Sequence, residues 1–317
     1  MSHWTHKTAC LERSWVALFA LAAFSACLLQ AAGPPLKTLD RPQFRADTNF
    51  ILVPITVMDG RGSSVSGLNA ESFTVLDNRQ PQPIVAFYSE DGPSSIGIVL
   101  DISGSTRDTL AQEKAALRAF LQFSNPEDDF FLAAVSSTPR LLADRVSDPG
   151  EIENLLPGER AGGDTALCDT IYFALHQARL RHYSRRALLV ISDGMDNHSR
   201  YTKQEVMREA MESDTQIYTI ALNNPPAGTK GAAIAECQRG LAFMDDLAEN
   251  SGGISVRLRG YENPSAAAVR ISAAIRNLYV IGYRSPEDGR PEQWHRIQVK
   301  VNLPKAKVHA RSGYQLP

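Results

Sequence analysis

An excess of charge of either sign is missing from this sequence. The 33 Lys and Arg stand against 35 Asp and Glu, for a net charge of -2. Without a basic stripe there is no electrostatic case for nucleic acid, and without a polybasic patch or acidic tail none for an anionic surface or a charged arm. No Gly-rich loop runs into Lys-Ser or Lys-Thr, which excludes the phosphate cradle of a P-loop nucleotide-binding protein. No Gly-x-Ser-x-Gly turn is present, so the nucleophile elbow of a serine hydrolase is absent too. The seven His are scattered, and His176 and His182 have no partner at zinc-ligand spacing. Neither a nucleic-acid partner nor a small-molecule cofactor is therefore expected. Cysteine is scarce, with four in the chain. Cys10 and Cys27 fall in the leader described next. Cys168 and Cys237 either form a disulfide in an oxidising compartment or sit as two small buried hydrophobes, and spacing does not choose between them.

Long apolar runs are also lacking, apart from residues 15–29 (WVALFALAAFSACLL). His3, Lys7 and Arg13 precede that run, and Ala31, Ala32, Gly33, Pro34 and Pro35 follow it. A basic start, a short apolar stretch and small residues before a proline break read as a secretory signal peptide over residues 1–32. The run is shorter than the roughly 20 residues that span a bilayer. Phe24-Ser25-Ala26-Cys27 loosely resembles a bacterial lipoprotein box, with Phe where Leu is usual, so lipidation at Cys27 is the weaker alternative. The expectation is export to the periplasm or beyond.

Beyond the leader the hydrophobic pattern has two regimes. Residues 33–93 hold short alternating segments (FILVPITV at 50–57, SFTVL at 72–76, IVAFY at 84–88) with turns at Asp59-Gly60 and Asp77-Asn78. These read as strands of a small β-sheet. From 94 to 277, solid apolar runs such as IGIVL at 96–100 and ALLVIS at 187–192 alternate with helical stretches. In the first helix, Leu110, Leu117, Phe120 and Leu121 form one stripe among the polar Gln112, Glu113, Lys114 and Arg118. Further helices are expected over 166–178, 203–213, 242–250 and 264–277, with Gly252-Gly253 stopping the third of these. Strands buried on both faces and alternating with helices predict a doubly wound, mostly parallel α/β domain. Residues 278–317 return to β, and are expected to pack with 33–93 as one small β domain, since neither end has enough strands alone.

Chemistry concentrates where the solid strands end. Asp101-Ile102-Ser103-Gly104-Ser105 follows the first such strand, Gly162-Gly163-Asp164-Thr165 precedes a helix, and Asp193-Gly194-Met195-Asp196 follows the second. Ligands of open α/β sheets bind at the carboxyl ends of strands. A tight Gly104 turn can aim Asp101, Ser103 and Ser105 at one point, with Thr165 and Asp193 closing on it. Two carboxylates and three hydroxyls are hard oxygen donors, suited to Mg²⁺, and also to Mn²⁺ or Ca²⁺. Gly104, Asp164, Gly194 and Asp196 would support them from behind. The competing account of each element is ordinary turn and cap chemistry, with Thr165 capping the next helix.

Taken together, Asp101-x-Ser103-x-Ser105, Thr165 and Asp193-Gly194 resemble the three elements of the metal-ion-dependent adhesion site of the von Willebrand factor type A domain, over about residues 94–277. In that family the two Ser coordinate the ion, and the Thr and both Asp reach it directly or through water. The flanks, at 68–78 and 282–314, are similar to those of bacterial secreted proteins of this type. Thr106 stands where Met is common, and Cys168 where an aromatic or small residue is usual. The resemblance implies an exported adhesion or scaffold module whose ion captures a carboxylate of a protein partner, without turnover. Two other readings stay open: a Mg²⁺-dependent hydrolase or phosphoryl-transfer enzyme using Asp101 and Asp193, and a structural domain with a vestigial site.

Overall fold

Strand pairing begins with the apolar alternation at the start of the folded chain. The computed structural model describes residues 50–89, 91–222, 231–259, 262–286 and 294–315. The leader expected over 1–32 and the linker after it lie outside these residues. The first four strands are β1 (Phe50–Met58), β2 (Phe73–Asp77), β3 (Gln80–Gln82) and β4 (Ala86–Ser89). At the other end of the chain lie β11 (Tyr279–Arg284), β12 (Trp294–Val301), β13 (Lys307–Ala310) and β14 (Gly313–Gln315). The two ends interleave as two four-stranded sheets, β13-β1-β11-β4 and β14-β12-β2-β3. One face of β1 (Ile51, Val53, Ile55, Val57) meets Phe73, Val75, Ile281 and Ile297 in a shared core. The expected joining of the two ends is thus present, as two facing sheets.

One short strand was not expected. Asn78 and Arg79 adopt positive φ (47° and 69°) and close a two-residue hairpin in which Asp77 pairs with Gln80. The chain then crosses to the other sheet, where the strand expected over 84–88 is found as β4, and β3 is a short strand that was not expected. Pro81 sits on β3, the edge strand, where its missing N–H is tolerated.

Between these ends lie β5 (Ser95–Asp101), α1 (Leu110–Phe123), β6 (Asp129–Val135), β7 (Arg140–Val146), α2 (Pro149–Leu155), α3 (Leu167–Arg179), β8 (Arg186–Ser192), α4 (Lys203–Glu212), β9 (Thr215–Leu222), α5 (Ala232–Ser251), β10 (Ser255–Leu258) and α6 (Pro264–Arg276). They build a six-stranded sheet ordered β10-β9-β8-β5-β6-β7. All pairs in it are parallel except β6–β7, where β7 forms an antiparallel edge. Every residue of β5, β6 and β9 is buried, as their unbroken apolar runs require. Ile98 and Leu100 face α1 and α6, while Val99 faces α3, α4 and α5. Helices cover both faces, which is the doubly wound arrangement read from the sequence.

Three details depart from the sequence reading. Helix α2 was not expected, although Asp148 caps it (Oδ1 accepts the Gly150 N–H at 2.9 Å) and Pro149 opens it. Helix α5 starts ten residues before the expected 242, at Ala232, and ends at Gly252 with φ +86°. Glu113, placed by periodicity among polar neighbours, is 0% exposed within α1.

The sandwich core holds a polar knot. Asp77 Oδ2 accepts the hydroxyls of Tyr283 (2.9 Å) and Tyr314 (2.6 Å), and its Oδ1 lies 2.9 Å from His295 Nδ1. Asp77 and His295 are buried, on the paired strands β2 and β12. Removing a shared acceptor strands several buried donors at about 1–3 kcal/mol each. Asp77→Ala should therefore destabilise the chain by about 3 kcal/mol or more, read as a lower urea midpoint at unchanged slope.

Candidate functional site

Parallel strands β5 and β8 are direct neighbours, so their carboxyl ends deliver Asp101 and Asp193 to adjacent loops. Asp101 is fully buried; its Oδ1 accepts the Ser103 N–H (3.0 Å) and its Oδ2 accepts the Ser192 hydroxyl (2.6 Å). Ser103 Oγ and Ser105 Oγ are 3.0 Å apart, and the Ser105 hydroxyl also bonds to the Asp193 carboxylate. Asp193 Oδ1 accepts the Met195 N–H at 2.9 Å. Four of the five residues picked from the sequence therefore share one hydrogen-bonded set. Thr106 donates its hydroxyl to the Asp101 and Ser103 carbonyls (3.2 and 3.1 Å) and pins the turn.

Thr165 is brought in by its loop. The Gly104 N–H donates to the Gly163 carbonyl at 3.0 Å, and Gly162 N–H to the Ile102 carbonyl at 2.9 Å. A Cβ on Gly104 would stand 2.9 Å from that Gly163 oxygen, so the close approach of the first two loops requires glycine. Thr165 is buried, its N–H donates to Asn197 Oδ1 (2.9 Å), and its carbonyl accepts the N–H groups of Asn197 and His198. It does not cap α3, whose cap position is Ala166 without a side-chain bond.

The supporting residues divide. Asp196 Oδ2 accepts the Cys168 N–H and the Ser199 hydroxyl, both at 2.7 Å, and so ties the third loop to the start of α3. Gly194, at φ +79°, packs against Gly240 of α5: a Cβ on Gly240 would stand 2.3 Å from the Gly194 oxygen. Asp164 does not join the buried carboxylates; it is largely exposed, 3.7 Å from His198 Nδ1. Cys168 and Cys237 are free, so the disulfide alternative is not realised. Cys168 is packed in the core under α3, whereas Cys237 is half-buried on α5, so the account of two buried thiols holds for Cys168 alone.

Three contributors were missed by sequence reasoning. Ser192 bridges the two carboxylate loops, giving its hydroxyl proton to Asp101 and accepting the Gly194 N–H at 3.0 Å. Its position directly before Asp193 was the available signal. Asn197 carries no local signal beyond following Asp196 in the third loop. Glu113 had no signal, since helical periodicity grouped it with exposed neighbours. Its Oε1 accepts the Thr109 hydroxyl at 2.8 Å, and its buried Oε2 has no hydrogen-bond partner.

The electrostatics follow from this burial. Desolvation, then the charge of Asp193, push Asp101 up to about 6, against hydrogen bonds from Ser192 and Ser103. Asp193 is raised by burial, against bonds from Met195 and Ser105. Glu113 is raised well above the carboxylate range by burial and then by Asp101, with Thr109 opposing. The strongest charges acting on Asp101 and Glu113 are those of other carboxylates. Among the described residues no three His, Cys, Asp or Glu side chains gather as a metal-binding group. A cation here would therefore rest on two carboxylates and a set of hydroxyls. That donor set fits a hard divalent ion, and the uncompensated negative charge fits it as well.

Residues 96–195 match the family model of the von Willebrand factor type A domain. The matched span contains Asp101, Ser103, Ser105, Thr165 and Asp193, and the chain carries a domain of this type. The same sheet continues past the match through β9 and β10. Among solved structures, the chain is similar to an aerotolerance-related membrane protein from Bacteroides fragilis, with 18% identity, 58% of this chain and 98% of that one covered, and a TM-score of 0.45. It is similar to a von Willebrand factor type A protein from Catenulispora acidiphila (11%, 86% and 76%, 0.47). It is also similar to the pilus adhesin SpaC from Lactobacillus rhamnosus GG (6%, 78% and 48%, 0.47), and so spans about half of that chain. Comparison with curated proteins finds no match.

Two outcomes test the site. Asp101 carries a raised pKa, so its contribution to stability is full below about pH 4 and is lost as pH rises through about 6. In metal-free buffer, thermal midpoints should fall across that window, and Asp101→Asn should flatten the fall. Gly240→Ala should displace the Gly194 loop and lower the midpoint by several degrees, roughly the effect of 1–3 kcal/mol of overpacking.

Proposed function

We propose that this chain is an exported, non-enzymatic protein-binding module. It holds a divalent cation, Mg²⁺ foremost, on Asp101, Ser103, Ser105, Thr165 and Asp193, and captures an acidic side chain of a protein partner through it. The single observation that carries this reading is the buried pair Asp101 and Asp193 at neighbouring strand ends, joined through the Ser103 and Ser105 hydroxyls. A cation there would relieve the repulsion between the two carboxylates and keep acceptor capacity for an outside oxygen. The family match supports a role in protein interaction. Binding is favoured over turnover because the two Ser hydroxyls are engaged with each other and with Asp193, itself one of the proposed ligands, and among the described residues no His or Lys is hydrogen-bonded to them. Export rests on the leader pattern of residues 1–32.

Isothermal titration of Mg²⁺ and Mn²⁺ into the purified protein is the direct test, beside an Asp101→Ala/Ser103→Ala variant. Losing outer partners alone costs roughly 10–100-fold in metal affinity, so removal of two ligands should take binding below detection. Absence of binding in the wild type, or equal binding in the variant, would overturn the metal assignment. Phosphoesterase activity abolished by Asp101→Asn would restore the enzyme reading.

A further inference from the structure

The opposite end of the parallel sheet carries a second concave feature that the cation site does not use. A cavity of about 370 Å³ lies where the amino ends of β8 and β9 meet the outer face of the sheet containing β1. This falls in the roughly 300–1,000 Å³ range of small-molecule pockets. Its two walls differ in chemistry. Period-two alternation turns Phe50, Leu52 and Pro54 away from the sandwich core, and with Val280 of β11 they form an apolar wall. Leu52 is 39% exposed, a large aliphatic side chain left uncovered.

The facing wall is basic. Arg185, Arg186 and Arg311 all line the cavity, against a single acidic residue, Asp214. Arg185 is anchored, donating to the Gly92 and Ile275 carbonyls at 2.7 and 2.8 Å. Arg186 makes no ion pair among the described residues, and its Nε is buried without an acceptor. Arg311 Nε is likewise buried without an acceptor. The Arg311 ion pair is with an Asp214 carboxylate that is 75% exposed, a solvated contact of the kind that contributes little. Thr215, 2% exposed, lines the same cavity with a buried hydroxyl that has no partner. Buried polar groups are normally satisfied, so three orphan polar atoms beside one cavity leave its basic wall incompletely satisfied from within the protein.

We infer that this junction cavity binds a small organic carboxylate with an apolar chain or ring, its acid group received by Arg186 and Arg311 and its apolar body laid on Phe50, Leu52 and Val280. Guanidinium groups match a carboxylate in planar, two-point geometry, and the apolar wall supplies the area that a bare anion could not use. This site is independent of the cation reading and lies at the other end of the strands.

Decanoate is the probe, titrated into the purified protein in excess EDTA so that no carboxylate can be captured through a divalent ion. Saturable binding near one equivalent is expected. Decanol, with the same chain and no charge, and acetate, with the charge and no chain, should each bind at least tenfold more weakly. Arg186→Gln/Arg311→Gln should lower decanoate affinity by tenfold or more, while Arg118→Gln at an exposed position of α1 leaves it unchanged. Should the double variant melt earlier than the wild type, Leu52→Glu provides the second arm. It places a negative charge on an exposed position of the apolar wall and should abolish decanoate binding at an unchanged thermal midpoint. No saturable binding, equal binding of decanol, or affinity unchanged in both variants would overturn the assignment.

Discussion

Asp101 and Asp193 end neighbouring strands of a sheet that is closed to water on both faces, so their charges meet in a poorly screened place. Such a pair persists only where hydrogen bonds, protons or a cation offset it. The loops around it are arranged accordingly. Ser192 bonds to Asp101, Ser105 to Asp193, and Ser103 to Ser105, forming a chain of hydroxyls between the carboxylates. Glu113 adds a third buried acid within electrostatic reach instead of a counter-charge. A structural domain optimised for stability alone would gain by replacing these acids with apolar residues, which is the physical ground for the ligand proposed at the cluster.

The loops are held in place by backbone as much as by side chains. Gly104 against Gly163 and Gly194 against Gly240 are contacts that any side chain would push apart. Asp196 and Asn197 tie the third loop to α3 and to Thr165. The site is therefore made by three loops and one distant helix, α5, whose Gly240 lies 46 positions after Gly194. The β-sandwich sits on the other end of the same sheet, and its meeting with β8 and β9 leaves the basic and apolar cavity. Carboxylates thus stand at the carboxyl ends of β5 and β8, whereas arginines line the cavity at the other end of β8 and β9.

Much of this was legible from local pattern. Solid apolar runs at β5 and β8 fit strands buried on both faces, because a strand covered by helices on each side has no polar face to alternate with. Oxygen-bearing residues directly after those runs, and before helices, mark the candidate ligand end of the sheet. Alternation at β1 and β2 marks half-buried strands. The same local rules failed at Glu113, where helical periodicity correctly placed a helix but not which polar residue turns inward. They failed again at 80–82, where no apolar alternation announces the short edge strand β3.

The sequence by itself determined the alternation of strands and helices, the parallel sheet, and the candidate ligands at strand ends, since each depends on residues within a few positions of one another. Only the tertiary structure decided the rest: Ser192 and Asn197 as bridges, Gly240 as the seat of the third loop, the free thiols of Cys168 and Cys237, and the arginines gathered at the sheet's amino end. Each of these depends on which distant segments pack together, and packing is set by the whole core, which no local spacing encodes.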